Sequence, residues 1–302
     1  MNKIGWKRSL KLTLFALAAT AIVLNFAVAW VYIYALTHPT CMEFPQIPRV
    51  PEEGDPEIGS LEILTADGVI LEAWYYPSYN GAAVISMGGM TGSLGDHLPP
   101  IERLLDAGYG VLQIEGRSCG EPVSVVTLGY LESFDAEAAL EYLLGRGEID
   151  PERIGVFGFS MGAAAAIQAA ARNQGFAAVL AEGGYFNLGQ DMVEGDGTGP
   201  SQRWLLPFQY TVAGMYRLQT GVNPWDSSPV DVIGEISPRP LLLIYGEFEL
   251  ASGRGMLQYA AAGEPKEIWV VPGGSHGMNH QVAGEEYARR VITFFDAALL
   301  GR

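Results

Sequence analysis

Basic side chains are scarce in this sequence. Lys and Arg number 18 against 34 Asp and Glu, so the formal net charge is −16 at pH 7. Residues 1–11 hold four of these cations and no acid, which leaves the rest of the chain more acidic still. Such a charge repels nucleic-acid phosphates and anionic lipid surfaces, so we expect no nucleic-acid partner. Disorder is excluded as well, because 49% of the residues are hydrophobic and only 17% are charged.

Cysteine is nearly absent, with only Cys41 and Cys119 in the chain. Neither lies at the short spacing from other ligands that a metal centre requires, so the sequence predicts no metal site. Two thiols are compatible with a disulfide but do not require one.

Charge of either sign is missing from residues 12–36, a run of 25 residues rich in Leu, Ala, Val, Ile and aromatic residues. At about 1.5 Å per residue, a helix of this length crosses the roughly 30 Å hydrocarbon core of a bilayer. The cations of residues 1–11 then keep the N-terminus cytoplasmic and place the following domain on the extracytoplasmic side. A cleaved signal peptide is the alternative, because residues 27–29 (Ala-Val-Ala) resemble a cleavage site. Since the apolar run continues to Leu36, an uncleaved signal anchor in the cell membrane is favoured.

Residues 37–59 contain five prolines and show no periodicity, which predicts an extended spacer that lifts the following domain off the bilayer. In the domain itself, residues 60–302, short apolar segments alternate with helical patterns. Apolar strands separated by helices indicate a mostly parallel sheet covered on both faces, an α/β fold. The predicted strands are 61–65, 69–76, 82–86, 110–114, 154–159, 176–181, 241–245 and 268–271, and the clearest predicted helices are 98–107, 131–144, 161–172 and 285–299.

One stretch, residues 185–238, breaks this alternation after the sixth predicted strand. It is first glycine-rich and then aromatic, with Trp204, Phe208, Tyr210 and Tyr216. Insertions at the carboxyl ends of parallel strands border the functional edge of the sheet, so a helical lid is one expectation. An ordinary helical excursion with its aromatic residues packed inside is the other.

The segment Gly158-Phe159-Ser160-Met161-Gly162 fits the pattern G-x-S-x-G. It follows an apolar predicted strand and precedes four alanines, so it lies at a strand–turn–helix junction. In a nucleophile elbow of this kind the serine adopts a strained backbone, and the glycines let strand and helix approach closely. The pattern predicts Ser160 as a nucleophile and the Met161 N–H, at a helix N-terminus, as a donor to an oxyanion. A serine that merely caps the helix is the structural alternative.

A nucleophilic serine needs a base, and the chain has only four histidines. His38 adjoins the apolar run, and His97 precedes a predicted helix. His276 lies in a glycine-rich loop after the last predicted strand, late in the chain as the order Ser, acid, His requires. We therefore expect His276 to be the base, with the nearby His280 as the alternative.

The third member of such a site is an acid that orients the imidazole. Glu247 and Glu249 both follow the predicted strand 241–245, and Glu249 is the expected member. Glu247 has the same chemistry, and Glu182 at the end of the sixth predicted strand lies at the same edge, so both remain alternative acids.

A second oxyanion donor is expected from the glycine loop of residues 88–93, which follows the predicted strand 82–86. The backbone N–H of Met90 is the most suitable donor in this loop. Phosphate binding is not expected, because the loop lacks G-x-G-x-x-G spacing and no Walker lysine follows it.

From about residue 61 onward, the chain resembles bacterial α/β-hydrolases of the serine aminopeptidase, acylglycerol lipase and dienelactone hydrolase-like group, which includes members with an N-terminal membrane anchor. The matching segments are the oxyanion loop 89–93, the lead 150–154 into the elbow, the elbow 158–162, the strand-plus-acid segment 240–249 and the loop 272–277. The resemblance implies the α/β-hydrolase fold, a Ser160–Glu249–His276 triad and no cofactor.

Three positions depart from the pattern of that group. Gly88, or Met87 in a shifted alignment, stands where the oxyanion loop usually has histidine, and the acid is glutamate in place of aspartate. The usual Asp-x-Arg-Gly-His-Gly segment reads Glu-Gly-Arg-Ser-Cys-Gly at residues 115–120. The nucleophile and the base match the pattern.

These patterns together predict a membrane-anchored serine hydrolase that cleaves a carboxylic ester, or alternatively a thioester or amide, through an acyl-enzyme on Ser160. The aromatic insertion predicts an apolar acyl or aryl group in its small-molecule substrate. Two alternatives stay open: a non-catalytic binding or scaffold module of the same fold at the cell surface, and a serine peptidase.

Overall fold

The computed structural model describes residues 3–41, 59–90, 98–195 and 203–302. The predictions made for most of the spacer, for residues 91–93 of the glycine loop, for His97 and for residues 196–202 of the insertion lie outside the described residues.

The centre of the domain is one sheet of eight strands. They are β1 (Gly59–Leu64), β2 (Ile70–Tyr76), β3 (Ala83–Met87), β4 (Gly110–Ile114), β5 (Ile154–Phe159), β6 (Ala178–Glu182), β7 (Leu241–Gly246) and β8 (Lys266–Val271). Their order across the sheet is β1-β2-β4-β3-β5-β6-β7-β8. The pairs β1–β2 and β2–β4 are antiparallel, and every pair from β4 to β8 is parallel. The predicted mostly parallel sheet is confirmed.

Helices cover both faces of this sheet. The α-helices of the described residues are α1 (Lys3–Thr37), α2 (Leu98–Asp106), α3 (Glu132–Leu144), α4 (Met161–Arg172), α5 (Leu188–Glu194), α6 (Leu206–Thr220), α7 (Pro229–Val232), α8 (Glu247–Leu250), α9 (Arg254–Ala261), α10 (Asn279–Ala283) and α11 (Glu285–Phe295). Residues of α3 and α4 belong to the hydrophobic cluster on one face, and residues of α2 and α11 belong to the cluster on the other.

The central strands β3, β4, β5, β6 and β7 are buried at every residue. This is why their sequences are apolar throughout, without the alternation of a strand that has one face in water. The parallel strands bring their carboxyl ends to one edge of the sheet, where the loops after β3, β5, β6, β7 and β8 meet.

The N-terminal helix α1 is long and apolar enough to cross a membrane. Its segment Arg8–Thr37 has 30 residues, and an 18-residue stretch within it has a mean hydropathy of 2.2. Most of its side chains are exposed, but Ala29, Ile33 and Thr37 are completely buried. These three positions are four residues apart, so they form one stripe along the helix.

The insertion after β6 is helical and packs on this stripe. Leu188 of α5 and Val212 and Tyr216 of α6 form one hydrophobic cluster with Ala29 and Ile33 of α1. Some of its aromatic residues pack inside, as Tyr216 does, while others stay at the surface. The role of a lid stays a prediction. The end of α1 is therefore part of the packing of the domain.

A disulfide joins Cys41, just after α1, to Cys119, with 4.9 Å between the two Cα atoms. The sequence left this pairing open. In addition, the Val126 N–H donates to the Thr37 carbonyl at 2.8 Å. The C-terminal end of α1 is thus held by a covalent bond, a hydrogen bond and apolar packing.

Candidate active site

Ser160 occupies the turn between β5 and α4, with φ 53° and ψ −115°. Among the described residues, only Leu128 and Ser160 have positive φ without being glycine. A side chain in this region of φ is strained, and such strain persists only where the surrounding structure enforces it. The elbow expected from the sequence is therefore present, and it presents the serine hydroxyl at the carboxyl edge of the sheet.

The two glycines of the motif are required by close contacts between backbones. A Cβ atom at Gly158 would collide with the carbonyl oxygen of Gly162. A Cβ atom at Gly162 would lie 2.5 Å from the carbonyl oxygen of Met87, at the end of β3. Strand, helix and the loop after β3 therefore approach each other more closely than any larger residue allows.

His276 lies in the loop after β8, and its Nε2 atom is 2.9 Å from Ser160 Oγ. The ring of Phe159 stacks on the imidazole, with 4.9 Å between ring centroids. The alternative histidine, His280, lies in α10 with its ring edge-on to Tyr287. The structure thus brings His276 to Ser160.

Among the three candidate acids, Glu249 is the one hydrogen-bonded to this histidine. Its Oε1 atom is 2.8 Å from His276 Nδ1, and its Oε2 atom accepts the Gly246 N–H at 2.7 Å. Glu247, two residues earlier on α8, instead accepts the Gly273 N–H at 2.8 Å. The short helix α8 therefore directs the two carboxylates to different partners.

Glu182, the last residue of β6, is buried behind the site. Its Oε1 atom accepts a hydrogen bond from Asn279 Nδ2 at 2.8 Å, and its Oε2 atom accepts one from the Tyr287 hydroxyl. Asn279 also reaches Glu249 Oε2 at 3.4 Å, so its amide lies between the two carboxylates. Sequence reasoning missed Asn279 and Tyr287. The sequence offered one indication of Asn279, which is its position only three residues after the predicted base His276.

The environment changes the acidity of all three groups. The hydrogen bond with Glu249 raises the pKa of His276 above its ordinary value of 6.5, against the effect of burial. Burial acts to raise the pKa of Glu249, but the hydrogen bonds from His276 and the Gly246 N–H outweigh it, so this pKa is lowered. For Glu182 burial dominates the opposing hydrogen bonds from Tyr287 and Asn279, and its pKa rises to about 7. At neutral pH, Glu249 is therefore ionised beside the imidazole.

Replacing Glu249 with glutamine should move the acid limb of the pH–rate profile to lower pH. A base on His276 works only when the imidazole is neutral, so activity falls as pH drops through its pKa. Removing the carboxylate removes the interaction that raises this pKa, and the limb moves down. The turnover number should also fall by about 10²-fold or more, because the imidazolium formed in the reaction loses its partner. The pH profiles of kcat/KM and of kcat for p-nitrophenyl butyrate measure the two effects.

Glu247→Gln is the matched control, because this glutamate lies on the same short helix and bonds a backbone N–H. Its pH profile should coincide with that of the wild type. A shift in Glu247→Gln without one in Glu249→Gln would assign the orienting acid to Glu247.

The predicted oxyanion donors lie on two sides of the serine. Met161 is the first residue of α4, where backbone N–H groups are free of intrahelical partners. In the loop after β3, a Cβ atom on Gly89 would lie 3.5 Å from the Ser160 Cβ atom, which places this loop beside the nucleophile. The donor role of the Met90 N–H remains a prediction.

An open cavity of about 550 Å³ lies over these groups. Ser160, Glu249 and His276 line it together with aromatic side chains that include Tyr185, Phe186, Tyr245 and Phe248. An ion pair between Arg254 of α9 and Asp191 of α5 also borders the cavity. The insertion therefore supplies part of the wall around Ser160.

The family model of the prolyl oligopeptidase family matches residues 127–302, more than half of the chain. Among characterised folds, the esterase Pf2001 of Pyrococcus furiosus superposes with a TM-score of 0.63 at 26% identity, covering 83% of this chain and 97% of that structure. The uncharacterized protein YfhR of Escherichia coli K12 is 26% identical over 80% of this chain and 81% of its own length. The uncharacterized protein Rv2307c of Mycobacterium tuberculosis H37Rv is 27% identical over 86% and 88%.

These similarities concern the fold and the general activity of the chain. They confirm the predicted α/β-hydrolase fold and a serine hydrolase in general terms. The chain belongs to the prolyl oligopeptidase family, within the α/β-hydrolase superfamily.

Proposed function

We propose that this protein is a carboxylic ester hydrolase that acts through an acyl-enzyme on Ser160. The observation that carries the proposal is the continuous hydrogen-bonded chain from Ser160 Oγ through His276 to Glu249 Oε1, with distances of 2.9 and 2.8 Å. These hydrogen-bonded residues lie at the edge of an open cavity, where a substrate carbonyl can reach the Ser160 hydroxyl.

In the first half-reaction, Ser160 Oγ attacks the ester carbonyl carbon while His276 Nε2 accepts the hydroxyl proton. The proton on Nδ1 is held by Glu249, which fixes the tautomer and stabilises the imidazolium. The backbone N–H of Met161 and one from the loop after β3 bind the developing oxyanion. His276 then donates its proton to the alkoxide leaving group, and the acyl group stays on Ser160.

In the second half-reaction, water takes the place of the leaving group. His276 accepts a proton from this water as its oxygen attacks the acyl carbonyl, and the proton then returns to Ser160 Oγ as the carboxylic acid leaves. No group other than water is consumed.

Two observations favour an ester over a peptide. Two tyrosines and two phenylalanines are among the residues that line the cavity, which suits an apolar acyl or aryl group. The structural relative from Pyrococcus furiosus is an esterase. The family name favours a peptidase as the second candidate, since an amide would react through the same groups.

We further propose that α1 is an uncleaved signal anchor and that the hydrolase domain is extracytoplasmic. The length and hydropathy of Arg8–Thr37 support a span, and the basic residues before it support a cytoplasmic N-terminus. The disulfide between Cys41 and Cys119 supports an oxidising compartment for the domain.

Fluorophosphonate labelling of the full-length protein in detergent tests the enzyme proposal, because only an activated serine reacts. We expect one labelled site, together with turnover of short p-nitrophenyl esters that exceeds turnover of aminoacyl p-nitroanilides. Preferred turnover of the anilides would assign a peptidase. A folded protein that neither labels nor hydrolyses either series would be a binding or scaffold module.

A further inference from the structure

Helix α1 is longer than a bilayer requires. Its candidate span Arg8–Thr37, of 30 residues, is about 45 Å long, at about 1.5 Å per residue. The hydrocarbon core takes up about 20 residues of a helix, so roughly ten residues extend beyond it. If the core begins after the basic residues that end at Lys11, four of these ten residues lie on the N-terminal side, and about six, residues 32–37, extend beyond the core at the C-terminal end of α1.

The C-terminal end of α1 is also the part that packs on the domain. The buried stripe Ala29, Ile33 and Thr37 lies there, and the disulfide at Cys41 follows directly. On the remaining sides of the same turns, aromatic residues such as Trp30 are exposed. Exposed Trp and Tyr at this position are typical of the headgroup level of a membrane.

Helix α6 lies at the same level as this end of α1. The two helices share a hydrophobic cluster, and Gln219 Nε2 of α6 donates to the Trp30 carbonyl at 2.9 Å. The outward side of α6 and the turn before it carry large apolar groups: Trp204 is 78% exposed, Tyr210 58% and Leu218 66%. We call these three residues the α6 face.

The charge around the α6 face differs from that of the rest of the domain. Residues 203–225 contain no Asp or Glu, in a chain with 34 acids. The negative charge of the domain as a whole repels an anionic lipid surface. Residues 203–225 contribute no negative charge to this repulsion. A surface with exposed aromatic and aliphatic residues and without acidic residues has the composition typical of a membrane interface.

The cavity over Ser160 lies close behind these helices. In α5, Leu188 belongs to the cluster with α1 and α6, whereas Asp191, three residues later, lines the cavity. Tyr185 packs against the hydrophobic cluster with α1 and α6 and also lines the cavity. A single helix, about 10 Å across, therefore separates the end of the anchor from the cavity.

We propose that the α6 face is a membrane-contact surface in the outer leaflet of the bilayer that α1 crosses. It continues the interface of α1 and holds the cavity at the level of the headgroups. Resting on the function proposed above, this placement assigns the substrate as an amphiphile that resides in the membrane and carries an acyl ester, in place of a freely dissolved ester.

The first test locates the α6 face directly. Full-length Leu218→Cys is labelled with the fluorophore NBD and placed in phosphatidylcholine vesicles that contain doxyl-labelled lipid. We expect doxyl lipid to quench NBD at position 218. Leu144→Cys is the control, because Leu144 ends α3 at the opposite edge of the sheet from Ser160, and its label should not be quenched.

The second test separates soluble from membrane-held substrate. The variant Tyr210→Asp/Leu218→Asp and the control Leu144→Asp are compared on p-nitrophenyl butyrate in solution and on 4-methylumbelliferyl oleate held in vesicles. Charges in the α6 face should lower turnover of the vesicle ester by about fivefold or more, because apolar contact with the interface is lost. Turnover of the soluble ester should stay within about twofold, and Leu144→Asp should change neither rate.

The outcomes distinguish the two proposals. If the wild type hydrolyses neither ester, the proposed function is wrong. If it hydrolyses p-nitrophenyl butyrate while NBD at 218 is not quenched, or while the α6 variant keeps its rate on the vesicle ester, the enzyme stands and the membrane-contact surface is wrong. A blue-shifted NBD signal without doxyl quenching would assign the α6 face to contact between two copies of the chain, which also overturns the proposal.

Discussion

Replacing Ser160 with alanine should lower kcat/KM for p-nitrophenyl butyrate by about 10³-fold or more, because no other group replaces the nucleophile. The Oγ atom removed is the one that lies 2.9 Å from His276 Nε2. Fluorophosphonate labelling should disappear in the same variant. Thermal unfolding in detergent should be close to that of the wild type, since the substitution removes one partly exposed hydroxyl and keeps the backbone of the elbow.

Ser275→Ala is the matched control, since Ser275 lines the same cavity and precedes His276 in the chain. Its kcat/KM should stay within about threefold of the wild type, as expected for a residue outside the reacting chain of hydrogen bonds. Labelling that survives in Ser160→Ala and is lost in Ser275→Ala would place the nucleophile at Ser275.

Replacing Arg117 with alanine should lower the free energy of unfolding by about 3–5 kcal/mol, because it leaves buried carboxylate charge without its partner. The Arg117 side chain is completely buried. It donates from Nε and Nη2 to Asp135 at 2.8 and 2.6 Å, and from Nη1 to Asp67 at 2.6 Å. Urea unfolding of the full-length protein in detergent measures the loss.

The control is Arg103→Ala, whose partner Glu285 lies in solvent. An exposed pair contributes about 0–1 kcal/mol, so this variant should unfold near the wild-type urea concentration. If Arg103→Ala and Arg117→Ala lower the free energy of unfolding equally, the buried ion pairs of Arg117 do not stabilise the fold more than an exposed pair does.

The same arginine also predicts a dependence on pH. The hydrogen bond from Arg117 lowers the pKa of Asp67 to about 2. A carboxyl whose pKa is depressed in the folded state stabilises the protein above its unfolded pKa, which is about 3.9, and this contribution is lost as the pH falls towards 2. The wild type should therefore lose stability over that acid range more steeply than Arg117→Ala.

Much of the fold was predictable because buried strands leave a strong pattern. The eight predicted strands correspond to β1–β8, with ends that differ by one or two residues. At β6 the prediction begins too early: Phe176 is buried in the core but precedes the strand, which starts at Ala178. Apolar character reports burial, and the residue at which pairing begins depends on the neighbouring strands.

The parts of the candidate site whose geometry depends only on local sequence were predictable. The elbow at Ser160 needs only a strand, a tight turn with glycines and a helix, all of which are local in sequence. The choice between Glu247 and Glu249 is different, since both lie on a helix of four residues. Their separation of two residues turns them to different sides, and only the position of the loop of His276 decides which side faces the base.

The packing of α1 on the domain could not be predicted, because an apolar residue facing lipid and one facing protein look the same in a sequence. Ala29 and Ile33 do not differ in type from the exposed residues beside them, such as Val28 and Val31. The sequence could not decide whether the two cysteines pair, because they are 78 positions apart and only the fold brings them together. Cys119 also stands where related hydrolases usually have histidine, so the resemblance gave no indication of a bond there.

The packing of α1 has a consequence for how this protein can be produced. A soluble fragment that begins at residue 43 would lack Cys41, the Thr37 carbonyl and the apolar stripe of α1. The surface of Leu188, Val212 and Tyr216 that covers this stripe would then face water, and Cys119 would be left as a free thiol. Removal of α1 therefore yields an incomplete domain inclined to aggregate, and purification should retain α1.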